Sequence, residues 1–228
     1  MEKQQLLTLL KEIREKSPKR KFTQNFDLIF NLQGLDIKKP DQKVDFYLNL
    51  PHNRGKKIRV CGLVDAQLTA QSKQVFDTTI PKDEFPKWMN KKKEQKRLAD
   101  DHDYFIAQVD LMSQVAATFG KTLGPKGKMP SPKAGAVVPA TAQLAPLVAR
   151  LQTLARVQTK NDLSVKLPIG LDTLKDEDIA DNILAVYNTL LTKLPQEKNN
   201  LKNVLLKLTM GQPYKIEDMK KKEEAKKK

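Results

Sequence analysis

Apolar residues recur along this 228-residue chain with two different periods, and the changes of period divide it. Over residues 2–16, Leu6, Leu10 and Ile13 return at helical spacing with Leu7 beside them, until Ser17-Pro18 stops the run. The period then falls to two. Phe26, Leu28, Phe30 and Leu32 alternate across 25–33, and Val44, Phe46, Leu48 and Leu50 across 43–50. A helix and two strands are expected, each strand with one face on a core. After Pro51-His52-Asn53-Arg54-Gly55 come short apolar runs, Ile58–Val64 and Tyr104–Ala107, of the kind found in strands buried on both faces. Helices are expected at 65–73, 87–99, 109–119 and 142–155, with a strand at 75–80. Residues 156–168 are extended, and Pro168-Ile169-Gly170 ends them. Asp176 then caps an amphipathic helix carrying Ile179, Ile183, Val186, Leu190 and Leu194. A last strand alternates at Val204, Leu206 and Leu208 and finishes at Thr209-Met210-Gly211, followed by a Lys-rich tail expected to be mobile.

The two ends therefore read helix-strand-strand and strand-helix-strand, around a middle of alternating strands and helices. An outer domain built from both ends, with an α/β domain inserted into it, is the economical arrangement.

Charge narrows the function. There are 42 Lys and Arg against 27 Asp and Glu, a formal net charge of +15. The segment Lys215–Lys228 holds seven Lys and four acids, a net of +3, which leaves +12 on the rest of the chain. An excess of one sign spread this widely points to a polyanion, and nucleic acid is the commonest in a cell. The single cysteine, Cys61, excludes an internal disulfide and Cys-rich metal clusters. No apolar leader or membrane-length stretch is visible, so a cytoplasmic protein is expected, with no membrane partner.

Enzyme chemistry finds little support. Of the two histidines, His52 lies in a turn, and His102 lies in Asp100-Asp101-His102-Asp103, which reads as a polar link because no second ligand cluster accompanies it. Leu123-Gly124-Pro125-Lys126-Gly127-Lys128-Met129-Pro130 has neither the spacing of a phosphate loop nor the Ser or Thr that would hold magnesium. It is either a rigid turn or a backbone contact to phosphate. A non-enzyme without cofactor or metal is expected.

Three places suit nucleic acid. In Lys19-Arg20-Lys21-Phe22-Thr23-Gln24 the cations position phosphates, while Phe22 either stacks on a base or packs into the core. In Thr209-Met210-Gly211, Thr offers a hydroxyl for a ribose 2′-OH, Gly allows close approach, and Met either presents a soft apolar face or belongs to the core. The polar turn Lys160-Asn161-Asp162, with Lys166, can reach backbone and sugar groups. The basic run Lys91–Arg97 is read as a solvated face.

Together these pieces resemble the ribosomal protein L-one family, over essentially the whole length. The resemblance is carried by Lys21-Phe22-Thr23-Gln24-Asn25-Phe26-Asp27, by Leu123–Lys133 and by Leu208-Thr209-Met210-Gly211, in this order, and it is greatest to the archaeal branch. It implies a discontinuous α+β sandwich from residues 1–60 and 157–228, with a Rossmann-like α/β domain, 61–156, lacking a nucleotide site. It implies a monomer when free that binds large-subunit ribosomal RNA at the mobile stalk beside the exit site. It further implies a part in release of deacylated exit-site tRNA, and repression of translation by binding its own mRNA. The residues it assigns to RNA are Lys21, Phe22, Thr23, Asp27, Lys160, Asn161, Asp162, Lys166, Thr209, Met210 and Gly211. Many members carry Glu at the position of Asp27. Bacterial members have Asp-Lys then Gly where this chain has Lys160-Asn161-Asp162, and a His at the position of Lys166, so phosphate becomes the expected target there. The competing reading is a nonspecific basic nucleic-acid binder of the chromatin type.

Overall fold

The computed structural model describes residues 2–18, 20–36, 39 and 42–216, so Lys19 and the tail from residue 217 lie outside the described residues. In chain order the elements are α1 (Lys3–Lys16), β1 (Asn25–Leu32), β2 (Asp45–Asn49), β3 (Val60–Val64), α2 (Ala66–Val75), β4 (Thr78–Pro81), α3 (Phe85–Met89), α4 (Lys92–Asp101) and β5 (Tyr104–Gln108). There follow α5 (Met112–Leu123), β6 (Val137–Val138), α6 (Leu144–Thr153), β7 (Leu154–Gln158), β8 (Ser164–Leu171), α7 (Asp176–Lys193), β9 (Leu201–Leu208) and β10 (Tyr214–Lys215). They fall into two compact units, residues 1–56 with 153–228, and residues 57–152. The boundaries expected at 60/61 and 156/157 lie four residues further on. The shift has a local cause. Lys57 already pairs with Asp77, and Ile58 donates its N–H to Gln152 Oε1, whereas β7 is paired with β2 from Leu154 onward.

In the first unit, four strands lie in the order β10-β9-β1-β8, all antiparallel. Alternation buries Phe26, Leu28 and Phe30 of β1 with Val204, Leu206 and Leu208 of β9, against Leu6, Leu10 and Ile13 of α1 and Ile179, Ile183 and Val186 of α7. The opposite face holds Asn25, Asp27, Ile29 and Asn31 of β1, all half-buried. This is the pattern of a sheet covered on one side only. Leu9 is buried where the helical spacing favoured Leu7, which packs at the margin. A second pair, β2 with β7, adjoins it.

Two expectations change. Pro168 does not end its segment, and β8 runs on to Leu171. The ladder slips between Phe26 and Asp27, so that Phe26 faces Gly170 and Asp27 faces Pro168. A proline survives here because it sits at a bulge on the sheet's edge, where no ladder N–H is required of it. Asp176 is the first residue of α7 and not its cap, which is Lys175. Its carboxylate instead receives Arg14 Nε at 2.8 Å, while its charge still favours the positive end of the helix dipole.

In the second unit the strands are parallel, in the order β4-β3-β5-β6. All of β3 is buried, as expected for a strand covered on both faces. Gly62 is required there, since a Cβ would collide with the Phe76 ring. The helix expected at 87–99 is two helices, α3 and α4. The chain leaves helical geometry at Lys91, and Gln95 Nε2 donates at 2.7 Å to the Trp88 carbonyl, which also accepts Lys91 N–H at 3.0 Å.

Candidate nucleic-acid interface

β1 begins where β9 ends, and this brings two of the sequence candidates together. Phe26 faces Leu208 in the ladder, and Thr209 N–H donates to the Asn25 carbonyl at 3.0 Å. The Thr209 hydroxyl accepts from Asn25 N–H at 3.1 Å and lies 3.2 Å from the Asn25 carbonyl. Met210 N–H donates to Gln24 Oε1 at 3.1 Å, and Gly211 N–H closes a turn onto the Leu208 carbonyl at 2.8 Å. A side chain at Gly211 would meet Leu208 Cβ at 3.2 Å, so the turn is tight enough to disfavour one.

Two large apolar side chains face outward here, Met210 on this fixed backbone and Phe22 two residues before Gln24. Met210 is 62% exposed and Phe22 53% exposed, and they are the only exposed large hydrophobic residues of the first unit among the described residues. The core alternatives for both are therefore overturned. Burying them would gain roughly 1.5–3 kcal/mol each, and their exposure next to Arg20, Lys21 and Thr23, all exposed, leaves an apolar and cationic surface.

The open face behind them carries Asp27, which faces Lys207 across the β1–β9 ladder. Burial raises the Asp27 carboxyl above its ordinary value, against the opposing pull of Lys207 and of the Thr209 hydroxyl. Further along lie Ile29 and Leu205, which face each other, with Lys166 beyond Ile29 and Lys215 beyond Leu205. Asn31 Nδ2 donates to Asn203 Oδ1 at 2.7 Å in the next row.

Lys160, Asn161 and Asp162 are not part of this cluster. They precede β8, whose first residue, Ser164, faces Asn31, so they lie at the other end of β1. At about 3.3 Å per residue, that is roughly 20 Å from Asn25. There the β7–β8 hairpin forms a polar pocket lined by Arg156, Gln158, Lys160, Asp162, Ser164 and Lys166. Lys166, exposed and opposite Ile29, stands between the two groups.

The second unit uses its candidates differently. Lys128 Nζ donates to the carbonyls of Ala99 and His102 at 2.7 Å each, and Lys126 Nζ to Asp100 at 2.6 Å. Both lysines neutralise the carbonyl end of α4. The N–H groups of Gly127, Lys128, Ala134, Gly135 and Ala136 all donate to carbonyls within the loop. This is the rigid-turn alternative. His102 is buried, with Nδ1 at 2.9 Å from the Leu98 carbonyl and Nε2 at 2.9 Å from Thr78 Oγ1, a structural link as expected. Among the described residues, no group of three or more His, Cys, Asp or Glu is placed to hold a metal ion, and no helix is long and apolar enough to cross a membrane.

The sequence reading gave Gln24 no role, though it lies in the Lys19–Gln24 segment, and it missed Lys207 and the Asn31–Asn203 pair. Gln24 had a visible signal: it is the one polar residue in phase with Phe26, Leu28, Phe30 and Leu32. The asparagine pair had none, because cross-strand register is not written locally.

Comparison with known proteins places the whole chain in one family. The Ribosomal protein L1p/L10e family matches residues 10–212. A large ribosomal subunit protein uL1 from Methanothermococcus thermolithotrophicus is 38% identical over 217 residues, covering 95% of this chain and all of that protein. Its namesake from Methanocaldococcus jannaschii is 37% identical over 228 residues, covering both chains completely. That from Methanothermobacter thermautotrophicus is 36% identical over 209 residues, covering 91% of this chain and 96% of the other.

Proposed function

Because the chain belongs to the Ribosomal protein L1p/L10e family, whose members are ribosomal proteins and not enzymes, we propose that it is a structural constituent of the large ribosomal subunit. It binds large-subunit ribosomal RNA, in the cytoplasm, through the first unit. The observation that carries this reading is the exposure of Phe22, beside Arg20 and Lys21, and of Met210, whose backbone is held by a hydrogen bond to Gln24. Exposed apolar side chains suit stacking on unpaired bases and ribose, and at Met210 the held backbone keeps the ordering cost of binding low.

The finer roles follow from the same surface. Phe22, Met210 and Gly211 contact bases and sugars. Lys21, Thr23, Asp27 and Thr209 surround them, and Lys160, Asn161, Asp162 and Lys166 hold phosphate and sugar oxygens further along the sheet. The first unit is the α+β sandwich formed by both termini, and the second a Rossmann-like insertion without a nucleotide site. Release of deacylated tRNA and repression of the protein's own mRNA are included in the proposal, and the free protein is a monomer. A nonspecific polyanion binder would need only charge, and an exposed Phe–Met pair does not serve that purpose.

A filter-binding titration against a stalk fragment of large-subunit ribosomal RNA tests the assignment, with an equal-length RNA duplex and a DNA duplex alongside at several salt concentrations. Tight binding of the stalk fragment alone, with a shallow salt slope, is expected. Equal binding of all three, lost together as salt rises, would sink it.

A further inference from the structure

We propose that Gln24 is the positioning residue of the RNA interface, holding Met210 in the orientation that RNA meets; the proposal rests on the RNA-binding reading above. Gln24 falls in the buried phase ahead of β1 and is only 5% exposed. A carboxamide so placed is costly unless hydrogen-bonded, and its oxygen is used on one particular group, the N–H of Met210 at 3.1 Å. Thr209, the first residue past the end of β9, still finds a partner for its N–H in Asn25, whereas Met210, the second, has passed the ladder. Gln24 supplies the acceptor that the ladder no longer offers there.

Gln24 is itself fixed. Its N–H donates to Asp172 Oδ2 at 3.2 Å, and its carbonyl accepts from Asp172 N–H at 2.9 Å. The turn that carries Asp172 is held by Arg14 of α1, which donates to the carbonyls of Asp172 and Leu174 and to Asp176. A continuous set of hydrogen bonds thus runs from α1 through Asp172 and Gln24 to the backbone of Met210, the most exposed large apolar residue among the described residues. The arrangement separates two roles. An apolar side chain at position 24 would suit the burial, yet it would release the Met210 amide, so the fold persists while the presentation of Met210 loosens.

The experiment is a double-mutant cycle on the full chain with the ribosomal RNA stalk fragment, using Gln24→Leu, Met210→Ala and both together. Gln24→Leu should weaken binding about fivefold and Met210→Ala about tenfold, as expected for one lost hydrogen bond and one lost anchor. The double variant should be no weaker than Met210→Ala, because Gln24 acts through Met210. In the free protein, amide hydrogen exchange at Met210 should accelerate in Gln24→Leu and stay slow in Gln24→Glu, which keeps an acceptor oxygen. Gln24→Met, of similar length and without oxygen, replaces the leucine variant should that one not fold. Losses that multiply in the double variant, or unchanged exchange at Met210, would overturn the proposal. Wild-type binding by Gln24→Leu beside a weakened Met210→Ala overturns it alone. Wild-type binding by Met210→Ala overturns the interface reading, and the proposal with it.

Discussion

Two segments of this protein hold nearly the same residue types and do opposite things with them. The loop Leu123–Ala136 has Lys126, Lys128, Met129 and three glycines, and the sheet end around Lys21–Asp27 and Lys207–Gly211 has lysines, Met210 and a glycine. In the loop two of the three lysines, Lys126 and Lys128, are tied to the end of α4 while Lys133 is exposed, and Met129 packs toward the core of the second unit. At the sheet end the N–H groups of Asn25, Thr209, Met210 and Gly211 are satisfied too, but Phe22 and Met210 point to solvent. Composition does not separate the two. What separates them is which groups remain outward once internal hydrogen bonds and packing are complete.

The sharpest way to break this comparison is to remove the outward groups. Met210→Ala and Thr209→Val should each weaken binding of the stalk RNA by about tenfold or more, with Thr209→Val also losing the hydroxyl that accepts Asn25 N–H. Lys93→Ala, on the exposed face of α4, should change binding by less than about twofold. Filter binding of the three proteins in one buffer decides it. Equal losses would mean that net charge, and not the sheet end, governs affinity.

The converse change belongs in the loop. Lys128→Met keeps the length of the side chain and removes the ammonium that bridges the carbonyls of Ala99 and His102. The second unit should lose about 1–2 kcal/mol of stability, as for a charged hydrogen bond at a helix end, with RNA affinity unchanged. Trp88, the chain's single tryptophan, packs 6.0 Å from the Phe119 ring and reports unfolding of this unit by fluorescence. Weaker RNA binding with unaltered stability would show that the loop is an interface after all.

The uneven legibility of the molecule has the same origin. Alternation at Phe26–Leu32 and Val204–Leu208 placed both central strands, because one face of each is buried and the period is two. Thr209-Met210-Gly211 stood out as an odd strand ending, and it is odd because Gln24 replaces the missing ladder partner. Nothing near Lys160 reveals that its turn lies at the far end of β1 from Met210, since that follows from the register of β8 on β1. Pro168 misled for a related reason: its tolerance depends on a bulge opposite Asp27, a property of the pair of strands and not of either sequence. The break at Lys91 was hidden because Lys-rich sequence continues smoothly through it, and only Gln95 reaching back to Trp88 marks the gap.

The smallest expected effect separates the two regions by sign. Burial raises the carboxyl of Asp27 above 3.8, whereas the hydrogen bond from Lys126 lowers that of Asp100 below 3.8. A raised value means that the folded state holds the proton more tightly. The stabilising contribution of Asp27 is therefore present below its ordinary value and lost as pH rises through the higher folded one. Asp100 behaves inversely, contributing above its ordinary value and losing this as pH falls through the lower folded one. Comparing urea unfolding of the wild type with Asp27→Asn, the wild type should lose ground as pH climbs just above 3.8, read by hydrogen exchange of the β1 amides. Against Asp100→Asn it should lose ground as pH drops just below 3.8, read by Trp88. Asp100 is exposed, so added salt should flatten its slope, while the burial at Asp27 should leave that slope standing. Two slopes of the same sign, or two that vanish together in salt, would mean that the charge of the whole chain sets both carboxyls and that the contrast between the regions is not local.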